Sequence, residues 1–561
     1  MNLSCEFISP RSTTPTDGVE KYSELVRAQQ ETIQTQQETI QAQQKAIETM
    51  ERRLRQQQER IEQLEAELRA QKKLKGKPKI GPSRLNDSPP NPDDDGKGKR
   101  PGSAKRSKKL GFEIHEERRI QPNDIPATAK FNGYRDYDVQ ELKIERHNIR
   151  FRLAEYINED GTTLVGQLPS EYRHGHYGPL LVGYILYQHY QCRVPQPLIY
   201  EQLREWGIEI STGQLHNILS ENQADFHAEQ QQVLKVGLAT ATYIHTDDTG
   251  ARHQGKNGYC TVIGNQWFTY FRTTESKSRQ TFLETLQGGA PIYVLNEYAQ
   301  HYLQSSALAA KHWAKLSFSS QVLATEKAQW KDYLNSLGIV TAQASRLVTE
   351  AALLGGAIEQ GIDCQLKLLS DGAPQFNVLV HALCWVHAER ALRRLQGDTA
   401  QQRQNIEQMQ QLLWEYYRQL KAYQQSPTAE AKGQLEQNFD QLFGRCFLHH
   451  ASLNTVLSQF RVRKAELLRM LDCPQLPLHN NDGESDIREY VTRRKVSGGT
   501  RSEAGRRARD TFVGLKKTCR KLGISFWRFL MSRLRGDEKI PPLPDVIRAM
   551  SSGLQQVASP T

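Results

Sequence analysis

The chain has 561 residues and a formal net charge of +11, from 74 Lys and Arg against 63 Asp and Glu. This length is too great for one compact core and predicts two or three domains with linkers. The eight cysteines form no CxxC pair, and no apolar run is long enough to span a bilayer or to serve as a signal peptide. These features exclude a disulfide scaffold and predict a soluble cytoplasmic protein with a polyanionic partner.

A seven-residue repeat occupies the N-terminal part of the chain. One heptad position carries aliphatic residues throughout: Val26, Ile33, Ile40, Ile47, Leu54, Ile61 and Leu68. This stripe predicts a coiled coil over residues 20–74 that pairs two or more copies of the chain, preceded by a disordered N-terminus at 1–19. Glutamines on the second seam position are expected to fix register at a cost in stability. The alternative for this stretch is a solitary polar helix.

Two segments separate this repeat from the rest of the chain. Residues 75–110 combine Lys, Arg, Pro, Gly and Asp without an apolar core, which predicts a flexible basic linker that either touches DNA phosphates or is a solvated tether. Residues 111–230 are predicted to be a helical DNA-binding region, with a few short strands before residue 171. Apolar spacing, a turn at Gly207 and a capping-box sequence from Ser211 predict a helix-turn-helix-like unit, a layout shared by any αα-hairpin.

Strand-like runs after residue 231 predict a separate domain over 231–535. Three runs joined by tight turns precede an amphipathic helix and two further runs, at residues 240–247, 258–263, 267–271, 366–369 and 382–386. Helical segments near 291–361 and 401–471 are predicted to be insertions that leave the sheet. This order is that of the ribonuclease-H-like fold, so the expected fold class is mixed α and β (α+β), and the tail at 536–561 is expected to be disordered.

Three acidic residues stand where such a domain would bring them together. Asp247 ends the first predicted strand, Asp371 follows the fourth, and Glu484 lies far downstream. Mg²⁺ prefers oxygen ligands, and sites of this kind usually serve phosphoryl transfer. Asp248 is the rival of Asp247 for the first position, because adjacent residues of a strand point to opposite faces.

Four short motifs give the chain a resemblance to a known family. In chain order they are His-Thr-Asp-Asp-Thr from His245, Ser-Asp-Gly around Asp371, Cys-Trp-Val-His-Ala from Cys384, and Asn-Asn-x-x-Glu ending at Glu484 with Arg488 one turn further on. The chain resembles bacterial insertion-sequence transposases of the DDE class, most closely the IS-sixty-six (TnpC-type) family. It departs from that pattern where Asp replaces Glu, His replaces Asp and Ser replaces Arg, at Asp248, His479 and Ser485, and it lacks the zinc knuckle of many relatives.

The resemblance implies a DNA transposase in which Asp247, Asp371 and Glu484 are catalytic and hold two Mg²⁺ or Mn²⁺ ions. Water would first free a 3′-hydroxyl at the end of the element, and that hydroxyl would then attack target DNA. The implied partners are double-stranded DNA, a second copy of the chain and accessory transposition proteins, in the bacterial cytoplasm next to the nucleoid. The rivals are a non-catalytic coiled-coil DNA-binding regulator derived from a transposase and a structure-specific nuclease of the same fold.

Residues flanking the acidic positions are predicted to support them. Cys384 and His387 have the spacing of two zinc ligands but no complementary pair, so a packing role is favoured, and Asn481 is a supporting residue beside Glu484. A dense basic run after Glu484 is predicted to bind DNA, the alternative being a solvated helix face. Its candidate members are Arg488, Arg493, Arg494, Lys495, Arg501, Arg506, Arg507, Lys516 and Lys517.

Overall fold

The computed structural model describes residues 33–34, 113–124, 126–172 and 175–558, with side chains up to residue 553. The predicted disordered N-terminus, nearly all of the predicted coiled coil and the predicted basic linker therefore lie outside the described residues. Everything reported below falls within one compact unit that starts at Ser83. None of the described helices is long and apolar enough to cross a membrane.

The described residues before Pro179 are largely extended and exposed. A small antiparallel hairpin of β1 Glu155–Ile157 and β2 Thr163–Val165 is followed by a short 3₁₀ turn at Ser170–Tyr172. The two short strands agree with the few strands predicted before residue 171, and the helical part of the predicted 111–230 region begins only at Pro179.

Four helices follow and include the predicted helix-turn-helix-like layout. They are α1 Pro179–Tyr190, α2 Gln196–Glu205, α3 Thr212–Ser220 and α4 Ala224–Thr240. The chain turns after α2 at Gly207, whose φ of +69° suits glycine. The Ser211 hydroxyl accepts the Gln214 N–H at 3.1 Å, which is the N-cap bond expected of the capping sequence. The Tyr190 hydroxyl donates to the Leu219 carbonyl at 2.6 Å and joins α1 to the end of α3.

Seven further strands follow along the chain. They are β3 Tyr243–His253, β4 Lys256–Gly264, β5 Thr269–Thr274, β6 Tyr293–Val294, β7 Val322–Ala324, β8 Lys367–Ser370 and β9 Val380–Leu383. The strands β3, β4 and β5 form an antiparallel meander, and β8 extends it by pairing parallel to both β3 and β9. The result is a five-stranded mixed sheet of order β5-β4-β3-β8-β9, with β6 and β7 paired separately.

The predicted strands are confirmed in position, with two changes in extent. The strand β3 continues to His253 and turns at Gln254 and Gly255, whose φ values of +49° and +77° suit a two-residue hairpin loop. The fifth predicted strand is wrong in its second half, because β9 ends at Leu383 and a helix begins at Trp385. The apolar residues after that point recur at helical spacing rather than alternating.

Two helical insertions interrupt the sheet, as predicted. The first contains β6 and β7, and the helices of this part of the chain are α5 Arg279–Leu286, α6 Glu297–Gln304, α7 Ala310–Trp313, α8 Lys327–Ser336 and α9 Ala342–Glu359. After α10 Trp385–Arg393, the second contains α11 Ala400–Gln425, α12 Ala429–Phe443, α13 Ala451–Val462 and α14 Lys464–Leu467. The first insertion shares the core on which α1 to α4 pack, whereas the second builds its own core with Trp385.

Four C-terminal helices complete the described chain: α15 Asn481–Ser497, α16 Glu503–Lys521, α17 Phe526–Arg535 and α18 Leu543–Ala558. The prediction of a disordered tail from residue 536 is wrong, because α18 packs on α4 with Leu543 and Ile547 fully buried. Glu229 of α4 accepts the Leu543 N–H at 3.0 Å and pairs with Arg533. Pro544 is the second residue of this helix, where the missing N–H of a proline costs no intrahelical hydrogen bond.

Candidate active site

Two aspartates lie beside each other where β8 ends. The parallel pairing of β3 with β8 aligns His245 with Leu369, and Asp247 and Asp371 each stand two residues further along. Adjacent strands are about 4.8 Å apart, so the two carboxylates belong to neighbouring positions on one edge. In sheets of this kind, ligands bind outside the carboxyl ends of the parallel strands.

The turn after β8 explains the Ser-Asp-Gly motif. The Ser370 hydroxyl lies 2.8 Å from His381 Nε2 and accepts the Gly372 N–H at 3.0 Å. Gly372 has a φ of +93°, and a Cβ there would approach Arg463 Nη1 and the Leu383 side chain to 2.8 Å. Only glycine fits this tight turn, which leaves the intervening Asp371 exposed at the edge of the sheet.

The electrostatic environment of Asp247 is strongly negative. Its burial, followed by the negative charges of Asp371, Asp248 and Glu484, raises its pKa to about 7, although the Asp248 N–H donates a hydrogen bond that opposes the rise. A nearby cation would favour the charged form of a carboxylate whose pKa is raised by burial and by neighbouring negative charge. Carboxylate oxygens are the hard ligands that Mg²⁺ and Mn²⁺ prefer.

The third carboxylate is carried by α15, whose start is fixed to β3. The Asn480 side chain donates to the Thr246 carbonyl at 2.8 Å, and the Asn480 N–H lies 3.2 Å from Cys384 Sγ. A Cβ on Gly483 would come within 2.4 Å of Asn480 Oδ1, so glycine is required for this anchor. Glu484 follows in the first turn of α15, four residues after Asn480. The structure thus brings Glu484 into the same charged region as Asp247.

Glu484 is engaged by a cationic side chain. Arg390 of α10 donates from Nη1 and Nη2 to the two carboxylate oxygens at 2.9 and 3.4 Å, and His387 Nε2 lies 3.9 Å from the same carboxylate. Among the residues that the structure describes, no three His, Cys, Asp or Glu side chains are arranged to hold a metal ion. Asp247, Asp371 and Glu484 offer oxygen donors of the kind that divalent cations prefer, although in this arrangement Glu484 holds the Arg390 guanidinium.

Asp248 has different neighbours from Asp247. Its carboxylate accepts a 2.6 Å hydrogen bond from the Gln375 side chain. Burial raises its pKa, Lys277 and Gln375 act against the rise, and Asp371 adds to it. The Asp248 carboxylate is thus engaged by Gln375, whereas Asp247 accepts a hydrogen bond from the backbone N–H of Asp248.

Cys384 and His387 occupy the boundary between β9 and α10. Burial raises the pKa of the Cys384 thiol to about 11, so the sulfur is a neutral group that accepts the Asn480 N–H. Burial and then Arg390 lower the pKa of His387, whose ring lies 3.2 Å from the Arg390 guanidinium. These contacts support the packing role predicted for Cys384 and put His387 beside Arg390.

A buried charge cluster lies beneath α15. Asp486 accepts hydrogen bonds from Lys521 at 2.6 Å and Thr269 at 2.9 Å, pairs with Lys517 at 2.9 Å and lies 3.3 Å from His245 Nε2. Burial opposes its ionisation, but Lys521, His245 and Lys517 outweigh that effect and hold the pKa of Asp486 well below its usual range. This cluster fixes α15 and α16 to the sheet on the side of His245.

Three of the predicted DNA-binding residues are buried and serve the fold instead. Arg493 is 1% exposed, donates to the His189 carbonyl at 2.6 Å and lies over the Tyr190 ring. Lys516 pairs with Glu489 at 2.5 Å, and Lys517 pairs with Asp486 as described above. The prediction was wrong for these three because density of charge along the chain does not show which face of a helix turns inward.

The other six candidates reach solvent. Arg488, Lys495, Arg501 and Arg507 are exposed, and Arg494 and Arg506 are partly so. The glycines in the loop between α15 and α16 are explained by its close contact with the end of β3. The Gln254 N–H donates to the Thr500 carbonyl at 2.8 Å, and the Thr500 N–H donates to the Arg252 carbonyl at 3.0 Å. A Cβ on Gly499 would lie 2.6 Å from the Arg252 carbonyl, so its glycine allows strand contact whether or not phosphates approach.

Sequence reasoning missed several residues of the site. It selected Asn481, the first residue of α15, whereas the bond to β3 comes from its neighbour Asn480. It also passed over Arg390 and Asp486. One signal was available for Arg390, because a residue three positions after His387 lies on the same face of a helix.

The structure contains a five-stranded mixed sheet with acidic residues beside its parallel strands. Comparison with known proteins shows which family has this sequence. The sequence model of the transposase IS66 family matches residues 174–314 and 365–508, together just over half of the chain. The chain belongs to this family. The matched ranges include Asp247, Asp371, Glu484 and Arg390.

One curated relative also matches over most of its length. The chain is 40% identical over 320 residues to uncharacterized protein y4jO of Sinorhizobium fredii (strain NBRC 101917 / NGR234). The match covers 99% of that protein and 56% of this chain. Its description carries no activity, so the family assignment and the geometry of the site carry the argument that follows.

Proposed function

We propose that the protein is a DNA transposase that cleaves the ends of an insertion sequence and joins them to target DNA. Asp247, Asp371 and Glu484 are the catalytic carboxylates, and the domain from residue 231 to 535 is of the ribonuclease-H-like type. The observation that carries the proposal is the parallel pairing of β3 with β8, which sets Asp247 beside Asp371 while Asn480 fixes the helix of Glu484 to the same strand.

The proposed cofactor is a pair of Mg²⁺ or Mn²⁺ ions. When bound between these carboxylates, such ions supply charge stabilisation for the attacking and leaving oxygens of an in-line displacement at phosphorus. The chain contributes the ligand oxygens and their spacing: Asp247 and Asp371 come from adjacent strands of a rigid sheet, and Asp486 holds α15 against that sheet. A rigid support of this kind keeps the reacting groups in a fixed geometry.

DNA is proposed to bind along the exposed basic side chains next to this site. The six candidates that reach solvent follow Glu484 on α15, in the glycine loop and at the start of α16: Arg488, Arg494, Lys495, Arg501, Arg506 and Arg507. Each Lys or Arg that neutralises a phosphate releases counterions and makes affinity depend on salt. The proposed partners are the two element ends, the target duplex, a second copy of the chain and accessory transposition proteins.

The test is cleavage of a labelled duplex that carries the end of the insertion sequence encoding this chain. With Mg²⁺ or Mn²⁺, wild-type protein should release a 3′-hydroxyl end and then join it to a second duplex. Asp247→Asn, Asp371→Asn and Glu484→Gln should each reduce cleavage by about a thousandfold or more while retaining DNA binding in a gel-shift assay. If these variants cleave as wild type does, the proposed function is wrong.

A matched control comes from the opposite end of β8. Asp363 is an exposed aspartate that precedes this strand, and Asp371 follows it. Asp363→Asn removes a carboxylate near the other end of β8 without touching the site, so this variant should cleave like wild type. Cleavage without any joining would identify a nuclease of the same fold rather than a transposase.

A further inference from the structure

Arg390 makes a two-point contact with one of the three proposed catalytic carboxylates. Its Nη1 and Nη2 atoms lie 2.9 and 3.4 Å from Glu484 Oε1 and Oε2. Both side chains are about one-fifth exposed, at 19% and 21%. The pair is therefore partly desolvated and still partly open to solvent.

The other acidic residues of α15 show what a purely structural pair looks like in this protein. Asp486 is 2% exposed and has two lysines, a hydroxyl and a histidine around it. Glu489 is held between Arg193 and Lys516. Both carboxylates are largely buried and neutralised by cationic side chains of neighbouring elements. Glu484 differs from them because its negative charge acts on Asp247, one of the other two proposed catalytic carboxylates. Its cationic partner is Arg390 of α10.

The helix that carries Arg390 is itself firmly held. The Trp385 N–H donates to the Leu478 carbonyl and its indole N–H donates to the Leu467 carbonyl, both at 2.9 Å. Trp385 is 1% exposed and packs among the aromatic rings of the second insertion. Because the first turn of α10 is fixed, a change of partner at Arg390 requires rotation of one long side chain and no movement of the backbone.

A guanidinium binds carboxylate and phosphate with the same fork of parallel N–H donors. Both oxygens of Glu484 accept from Arg390, so a divalent cation that binds this carboxylate competes with the guanidinium for the same oxygens. Once displaced, Arg390 remains an unneutralised cation beside a site where a DNA phosphate is expected. The arrangement thus supplies a cation that can be exchanged between two anionic partners.

We propose that Arg390 positions Glu484 before metal binds and then, as a catalytic residue, turns to the DNA phosphate undergoing reaction. This inference rests on the proposed function of the three carboxylates. The proposal predicts two opposite effects: loss of the Arg390 side chain should strengthen metal binding and should slow DNA cleavage. A residue that only stabilises the fold would weaken both.

The test compares Arg390→Ala and Arg390→Lys with wild type in two measurements. Mn²⁺ affinity of the DNA-free protein is measured by electron paramagnetic resonance, and the rate of single-turnover cleavage is measured at saturating Mn²⁺. Arg390→Ala should bind Mn²⁺ about tenfold more tightly, because the competing cation is gone, and should cleave about a hundredfold more slowly. Arg390→Lys keeps the charge without the fork and should fall between the two in both measurements.

Arg394 provides the matched control, since it is an exposed arginine one turn further along, at the end of α10. Arg394→Ala should leave both quantities within about twofold of wild type. Unchanged or weaker Mn²⁺ binding by Arg390→Ala would overturn the inference, and so would undiminished cleavage. If Arg390→Ala does not fold, the same two criteria are applied to Arg390→Lys, whose Mn²⁺ affinity must then exceed that of wild type while its cleavage rate falls.

The two proposals fail in different ways. If Asp247→Asn and Glu484→Gln retain cleavage, the catalytic assignment is wrong and the role of Arg390 falls with it. If those variants lose cleavage while Arg390→Ala matches wild type in both measurements, only the role of Arg390 is wrong.

Discussion

Glu489 should make stability depend on pH in a defined range. It receives hydrogen bonds from Arg193 at 2.6 and 2.9 Å and from Lys516 at 2.5 Å, which join the end of α1 and the helix α16 to α15. Burial opposes ionisation of Glu489, but Arg193 and Lys516 lower its pKa from 4.5 to about 2. A carboxyl whose pKa is lower in the folded state stabilises the protein above its unfolded pKa and loses that contribution as pH falls.

The expected magnitude follows from the size of this shift. A change from 4.5 to about 2 corresponds to about 3 kcal/mol of folding free energy. Burial lowers the pKa of Lys516 even with Glu489 beside it, and Arg193 is 35% exposed, so both partners reduce the net gain. We expect Glu489→Gln to lower the free energy of unfolding by about 2 kcal/mol at pH 7.

Urea unfolding of wild type and Glu489→Gln at pH 7, 5, 4 and 3 measures this effect. The difference in unfolding free energy between the two proteins should be constant from pH 7 to 5 and should shrink below pH 4.5. Below that pH, Glu489 becomes protonated first in the unfolded chain and then, near pH 2, in the folded protein. Glu503→Gln is the control: Glu503 is 65% exposed and pairs with Arg506, so its loss should cost less than about 0.5 kcal/mol at every pH. A difference for Glu489→Gln that is absent at pH 7, or as large at pH 3 as at pH 7, would refute this reasoning.

Three further predictions concern other parts of the chain. Gly483→Ala places a methyl group 2.4 Å from Asn480 Oδ1 and should displace the start of α15, so cleavage should fall by about tenfold or more in the oligonucleotide assay; a wild-type rate would show that this anchor is dispensable. Ile547→Ala removes a fully buried side chain of α18 and should lower the free energy of unfolding by about 2 to 4 kcal/mol in urea, whereas no change would mean that α18 does not contribute to stability. A chain lacking residues 20–74 should have about half the mass of the full chain, or less, by light scattering; an unchanged mass would exclude pairing through that segment.

The order of the strands and the positions of the acidic residues could be predicted from sequence because both are local signals. Apolar runs bounded by turns indicated β3, β4, β5 and β8. The parallel pairing of β3 with β8 joins segments more than a hundred residues apart, and no local pattern contains that information. It entered the prediction only through the order of elements and the resemblance to a family.

The inward-facing charges could not be predicted for a related reason. Arg493, Lys516 and Lys517 look like a DNA-binding surface when read along the chain, but each is paired with groups on other elements. Their partners Asp486, Glu489 and the carbonyl of His189 come from α15 itself and from α1. Whether a lysine can be buried depends on these tertiary pairs, since an isolated buried charge would cost several kcal/mol and a partner offsets much of that cost.

The anchoring of α15 links two distant parts of the fold. Near its start the helix is bonded to β3 through Asn480, and further along it is bonded to the α1 region through Glu489 and Arg493. A displacement of α1 would therefore be carried along one stiff helix over about 14 Å, at about 1.5 Å per residue, from Arg493 to the turn that bears Glu484. The position of α1 and the alignment of the third carboxylate are thereby mechanically coupled.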